Sequence, residues 1–167
     1  MPASRGRVIA LAAVTAGTVV TLDLLTKVLV RDNLSLGSAD EVVGQLLRVV
    51  HSENDGVAFG RLSGSPGLVA LFVAAAVIGL LAYFLTHLNT DAVWLPTGLL
   101  VGGAVGNALD RASGGSVTDF VKVPHWPAFN VADIAITLGV IVLLIVVERD
   151  ARANERQAAA DGSDGQR

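Results

Sequence analysis

Fourteen positions separate Asp119 from Asp133, and the stretch between them, FVKVPHWPAFNVA, is broken by Pro124 and Pro127. Each proline removes a backbone donor and disfavours helix in the residue before it, so the segment cannot run as one helix and can fold back on itself. Folding back brings two carboxylates together. In a low-dielectric site such a pair cannot ionise twice cheaply, so it tends to hold one proton. One member can then act as base toward a water while the other, protonated, polarises a carbonyl, and the titration belongs to the pair. That is hydrolase chemistry. Each aspartate also has a plainer reading. Asn130-Val131-Ala132-Asp133 has the spacing of a capping box at the positive end of a helix dipole, and Asp119, after Val117 and Thr118, could face water in a turn.

Other ionisable groups lie in or beside apolar runs, where each costs at least ~2.5–3.5 kcal/mol at the centre of a membrane helix and is therefore a functional suspect. Asp23 and Lys27 are four apart with the acid first, the favourable order for a local pair, and Lys27 stands near a helix end from which it could snorkel. Asp110 and Arg111 close a third apolar run, and Arg111 could reach phospholipid headgroups. Two further arrangements are poorly supported. Ser113 or Ser116 with Lys122 or His125 could make a serine nucleophile, but RASGGSV reads as a turn with no nucleophile elbow. His51, His125 and the aspartates could hold a metal, but no ligand spacing of the HExxH kind occurs.

The elements that must position these groups follow from composition. The chain has 167 residues, 52% hydrophobic and 16% charged, too apolar for an ordinary soluble domain and consistent with an integral membrane protein. A net charge of -3 with mixed signs offers no patch for nucleic acid, and the absence of cysteine excludes disulfides, thiolate metal sites and a cysteine nucleophile. A spanning helix needs about 20 apolar residues. Four stretches come near this, at about 8–30, 67–88, 93–109 and 131–147, the third with Asp91 as its N-cap. A cleaved signal peptide is the competing account of the first, set aside because the run is long enough to span and three more follow. In the third, Gly98, Gly102 and Gly106 recur every fourth residue, with Gly103, Ala104 and Ala108 widening a small surface suited to close helix packing.

Four spans put both termini on one side, with the 31–65 and 110–130 loops together on the other. Arg5, Arg7, Arg149 and Arg152 favour cytoplasmic termini, and Trp94 and Trp126 suit interfacial anchors at opposite faces. The 31–65 loop is too long for a mere connection. Its segment EVVGQLLRVVHSENDGVAFG, with a turn signal at Asn54-Asp55-Gly56, predicts short strands in a small extramembrane platform. Residues 1–150 thus form one membrane domain, mainly α, and the polar residues 151–167 a disordered cytoplasmic tail. A proton- or ion-coupled membrane component relaying charge through Asp23, Asp110 and Asp133 is the alternative in a different class, and a structural subunit is a third. A relay needs ionisable groups through the membrane thickness, whereas these gather at one end of the spans.

Five blocks in order, DLLTK, NDGVAFG, GGAVGNALDR, VTDF and PAFNVAD, resemble those of the lipoprotein signal peptidase family, also called signal peptidase II, over residues 23–139. The resemblance implies a bacterial inner-membrane aspartyl endopeptidase with four transmembrane helices. Such enzymes cut signal peptides from prolipoproteins immediately before a cysteine carrying a diacylglyceryl group. It implies Asp119 and Asp133 as the catalytic pair, and Asp23, Lys27, Asn54, Gly56, Asn107, Asp110, Arg111, Asn130 and Ala132 as supporting or substrate-binding positions. Its expected partners are lipid-modified prolipoproteins and membrane lipids. A monomer without metal or cofactor is expected, with the active site at the extracytoplasmic face and the 31–65 loop as a clamp on the peptide.

Overall fold

The structure, a computed structural model, describes residues 4–44, 46–55, 78–79, 82–86 and 92–164, the last seven by backbone alone. Its first element, α1 (Arg5–Asn33), begins at Ser4, whose side chain accepts the Arg7 N–H and so satisfies one of the donors that a helix start leaves free. Twenty-nine residues at ~1.5 Å each exceed the ~30 Å of a bilayer core. Most apolar side chains on this helix point outward; Val14, Leu25 and Leu29 are all exposed.

Two strands follow, β1 (Ala39–Val43) and β2 (Leu47–Asn54), within the 31–65 loop where short strands are expected. They pair antiparallel, with Ala39 opposite Val50 and Val43 opposite Leu47, and Gly44 takes the positive φ of 49° at the hairpin turn. Gly56 and the rest of the expected Asn54-Asp55-Gly56 turn beyond Asp55 lie outside the described residues. So do most of the expected 67–88 span and Asp91; within that span residues 78–79 and 82–86 are helical, and Phe84 packs with Val8, Ala12 and Val93.

The next helix, α2 (Trp94–Gly114), starts with Val93 at the N-cap position and carries Pro96 in its first turn, where an N–H has no helical acceptor anyway. It overruns the expected end at 109 by more than a turn and stops at Gly115, whose φ of 81° suits glycine and whose N–H returns to the Arg111 carbonyl. The glycine stripe has two working faces. A Cβ on Gly102 would lie 2.8 Å from the Ala16 carbonyl of α1, and one on Gly103 would lie 2.5 Å from the Ala132 carbonyl. Helix α2 is therefore wedged between α1 and the last helix at a spacing that only small residues permit.

The stretch containing Asp119 is a strand, β3 (Val117–Lys122), which sequence patterning did not predict. It completes a three-stranded sheet in the order β1-β2-β3, with Ser52 opposite Asp119 and Asn54 opposite Val117. Asp119 is 3% exposed, so the reading of it as a solvated turn residue is overturned. After β3 the chain turns through Val123-Pro124-His125-Trp126, with His125 at φ 61° and the Trp126 N–H on the Val123 carbonyl, the type II pattern with proline second. It then folds back, and Val121 and Phe129 exchange backbone bonds of 2.8 and 3.0 Å.

The final helix, α3 (Val131–Asp164), does not end near 147 and continues through the tail expected to be disordered. The sequence ERDARANERQAAAD holds no glycine or proline and is rich in Ala, Glu, Arg and Gln, which favour helix whatever their polarity. Arg152 and Glu148, four apart, add a surface pair at 2.7 Å. Among the described residues α1 and α3 are long and apolar enough to cross a membrane.

Candidate active site

All the described site residues gather at one end of the helices, beside the sheet. Asp133 lies in the first turn of α3, and the capping box is real: the Asn130 side chain accepts the Asp133 N–H at 2.9 Å, and Asp133 Oδ2 accepts the Asn130 N–H at 3.3 Å. This plainer reading does not exhaust the residue. Asp133 Oδ1 accepts a second bond, 2.9 Å from Asn107 Nδ2 on α2, and the side chain stays half-buried.

Asp119 reaches the same place from β3. Asn130 Nδ2 donates to its Oδ1 at 2.7 Å, and Asn54 Nδ2 donates to its Oδ2 at 3.0 Å. Asn54 is a diagonal neighbour across the β2–β3 ladder, on the face that Asp119 shares with Ser52. A bulge between Val49 and Ser52 sets that face: without the extra residue every later side chain of β2 would point to the other side. Asn130 Nδ2 also approaches Asn107 Oδ1 at 3.2 Å, so two amide side chains link the aspartates. Burial pushes the Asp119 carboxyl up to about 6; the charge of Asp133 adds to the rise, while the amides of Asn54 and Asn130 and the Lys27 ammonium oppose it.

Below this pair lies a buried ionic group. Lys27 does not snorkel: it is fully buried, since α1 turns it toward α2 rather than toward the helix end. Its Nζ lies 2.7 Å from Asp23 Oδ2, 3.0 Å from Asp110 Oδ2 and 3.1 Å from Asn107 Oδ1. The contact with Asp23 Oδ2 is off the hydrogen-bonding direction and acts as an ion pair. Asp23 Oδ1 accepts the Ala132 N–H at 2.9 Å and so ties α1 to the start of α3. Gly106 makes room for it, because a Cβ there would stand 2.6 Å from Asp23 Oδ2. Asp110 Oδ2 also accepts the Thr118 N–H at 3.1 Å, anchoring β3 one residue before Asp119.

The remaining sequence candidates fall in place unevenly. Arg111 turns back along α2 to the Asn107 carbonyl at 3.3 Å and is partly exposed. His51 is buried, and its Nδ1 lies 2.7 Å from the Leu34 carbonyl, where it ties the α1–β1 connection to β2. Lys122 donates to the Trp126 carbonyl at 2.7 Å. Sequence reasoning missed Arg31 and the role of the Thr118 N–H. The signal for Arg31 was present, since Asp23, Lys27 and Arg31 recur every fourth residue and share one face of α1.

The arrangement can do acid–base chemistry: one buried carboxyl with a raised pKa stands near a second that is half-buried, and neutral amides orient both. A family profile described as Signal peptidase (SPase) II matches residues 15–148, a span that takes in the whole constellation. The chain belongs to the signal peptidase II family. Among its relatives in that family, the lipoprotein signal peptidase of Solibacter usitatus is 40% identical, over 86% of this chain and 92% of its own. That of Syntrophotalea carbinolica is also 40% identical, over 81% of this chain and 89% of its own. A solved bacterial membrane enzyme, determined at 2.3 Å by the in meso method, superposes with a TM-score of 0.74 at 31% identity, covering 86% of this chain and 90% of that one. A second such structure, at 1.9 Å, gives 0.71 at 31% identity, over 83% and 93% of the two chains.

Proposed function

We propose that this signal peptidase II protein removes signal peptides from prolipoproteins as an aspartic endopeptidase, hydrolysing the bond before a diacylglyceryl-modified cysteine with Asp119 and Asp133 as the catalytic pair. The observation that carries the reading is the shared amide scaffold. Carboxylates from β3 and α3 are held by Asn107 and Asn130, and no cation bonds either of them among the described contacts. A pair tied to a cation would be locked in the ionised form; a pair held by neutral donors can pass a proton.

In this mechanism Asp119, the more deeply buried, holds the shared proton and donates it to the carbonyl oxygen of the residue before the lipidated cysteine. Asp133, with its oxygens oriented by N–H donors and its side chain half exposed, takes a proton from the attacking water. No covalent acyl-enzyme forms. Asn54 and Arg111 are suited to hold backbone carbonyls or lipid oxygens, and Gly56 belongs with the substrate-contacting positions by its place in NDGVAFG.

The protein works, in this reading, as a four-span monomer with both termini in the cytoplasm and the dyad at the extracytoplasmic face, where lipid chains can remain in the bilayer while the peptide is cut. Support comes from charge and position: Arg5 and Arg7 stand at one end of α1, and the site stands at the other with the sheet. Cleavage of a diacylglyceryl-modified prolipoprotein by purified protein is the test. Asp119→Asn and Asp133→Asn should each abolish processing; a variant that cleaves at the wild-type rate refutes the dyad.

A further inference from the structure

Arg31 lies in the last turn of α1, outside the motif blocks, with its side chain 36% exposed. Its Nη2 meets Asp110 Oδ1 at 3.1 Å, and its Nε donates to the Lys27 carbonyl at 3.3 Å. We propose that Arg31 is a positioning residue for the peptidase reaction. By clamping Asp110 it fixes β3 just before Asp119, and it neutralises the charge that Asp23, Lys27 and Asp110 would otherwise leave beneath the catalytic carboxylates. The inference rests on the dyad reading above.

Two observations carry it. Lys27 is turned to Asp23 Oδ2, Asn107 Oδ1 and, on Asp110, to Oδ2, so Asp110 Oδ1 takes its hydrogen bond from another donor. Arg31 supplies that oxygen. Two carboxylates against one ammonium also leave a single negative charge uncompensated, in a medium where charge acts strongly over distance. The guanidinium cancels it, and its planar fork, pinned at two points, holds the Asp110 carboxylate in the rotamer that receives the Thr118 N–H.

Of the charged groups, Asp133 of α3 and Lys27 of α1 act on Asp119 directly; Asp23 and Arg31 of α1 and Asp110 of α2 belong to the ionic group around Lys27, and Arg111 of α2 bonds the Asn107 carbonyl. Glu53 of β2 is exposed opposite Thr118, and Lys122 lies on β3 itself, bonded to the Trp126 carbonyl. Removing the Arg31 charge makes this surround more negative, so the proton shared by the dyad is held more tightly. The alkaline limb of the pH–rate profile then moves to higher pH, a displacement that mere loss of structure does not produce.

The experiment uses the full-length protein in detergent with a diacylglyceryl-modified prolipoprotein, and follows kcat and KM against pH. Arg31→Gln should lower kcat about ten- to a hundredfold with KM little changed, as a small misplacement of a reacting group does, and should shift the alkaline limb upward. Arg31→Lys should return the limb to its wild-type position but recover only part of kcat, because an ammonium keeps the charge and lacks the fork. Arg152→Gln, on the exposed tail, should leave both unchanged. Wild-type kcat and limb in Arg31→Gln overturn the proposal, as does an equal loss in both Arg31 variants with the limb unmoved. If Arg31→Gln does not fold, full kcat in Arg31→Lys overturns the clamp. Cleavage by Asp119→Asn would instead defeat the dyad reading, whatever the Arg31 variants do.

Discussion

Two groups of acidic side chains lie next to each other in this protein and are treated in opposite ways. Asp23 and Asp110 are matched by Lys27 and Arg31, so each of these carboxyl groups meets a basic side chain. Asp119 and Asp133 receive only amide N–H groups, from the side chains of Asn54, Asn107 and Asn130 and from the Asn130 backbone. A carboxylate beside a fixed cation stays ionised and ties helices together. One beside neutral donors is oriented but free to exchange a proton. The first group holds the end of the helices in register, and in the proposed mechanism the second does chemistry on that frame.

The sharpest way to break this contrast is to remove a member from each group and see which property fails. Asp119→Asn or Asp133→Asn should cut turnover by about 10²–10⁴-fold or more, the range for losing a general acid or base, with little loss of thermal stability in detergent. Lys27→Met should do the reverse first. It leaves two buried carboxylates with one exposed-side cation, and breaking a buried pair costs about 3–5 kcal/mol, which a thermal or chaotrope unfolding scan would read directly. If Lys27→Met unfolded like wild type, or if Asp119→Asn proved as unstable as Lys27→Met, the division of labour would be wrong.

Much of this frame was legible in the sequence because membrane helices leave long apolar runs that only charged or small residues interrupt. Interruptions at Asp23, Lys27, Asn107 and Asp110 therefore stood out, as did the four-residue spacing of the glycines. The capping box at Asn130 was readable for the same reason, being local. Strand β3 was not, since VTDFVK is six residues with an acid in the middle and its pairing partner, β2, lies some 65 positions away. A short strand whose faces are both covered carries no alternating pattern. The end of α3 was misread because polarity was taken as disorder, whereas Ala, Glu, Arg and Gln are strong helix formers. Arg31 was passed over as a loop charge, although its spacing from Lys27 placed it on the same helix face.

A smaller perturbation probes how closely the two groups depend on each other. Gly106→Ala should cost roughly 1–3 kcal/mol by overpacking, because the new Cβ would meet Asp23 Oδ2 at 2.6 Å. The carboxylate would have to move, and with it the Ala132 N–H bond that seats the first turn of α3 and Asp133. Cleavage should therefore fall along with stability. Gly114→Ala, where a Cβ meets nothing within 4 Å, is the matched control and should change neither. Loss of stability without loss of cleavage in Gly106→Ala would show that the ionic group does not position the dyad.

The smallest expected effect distinguishes the groups by the sign of a pH dependence. Asp119 titrates near 6 in the folded protein, above the usual carboxylate range that it regains on unfolding. Between about pH 4 and 6 the folded state therefore binds more protons than the unfolded state, so this residue's contribution to stability is present in full below about 4 and is lost as the pH rises through 6. The change is on the order of 1 kcal/mol, since the half-exposed Asp133 lets solvent share the proton. Other carboxylates titrate over the same range, so the quantity to measure is the difference between wild type and Asp119→Asn in unfolding free energy at each pH. That difference should favour wild type most at the acid end and level off above 6. A carboxylate held by a cation gives the opposite slope, with stability lost on acidification. A difference that grew with rising pH would put Asp119 in the first group, paired and ionised, and would leave the proposed mechanism without its proton donor.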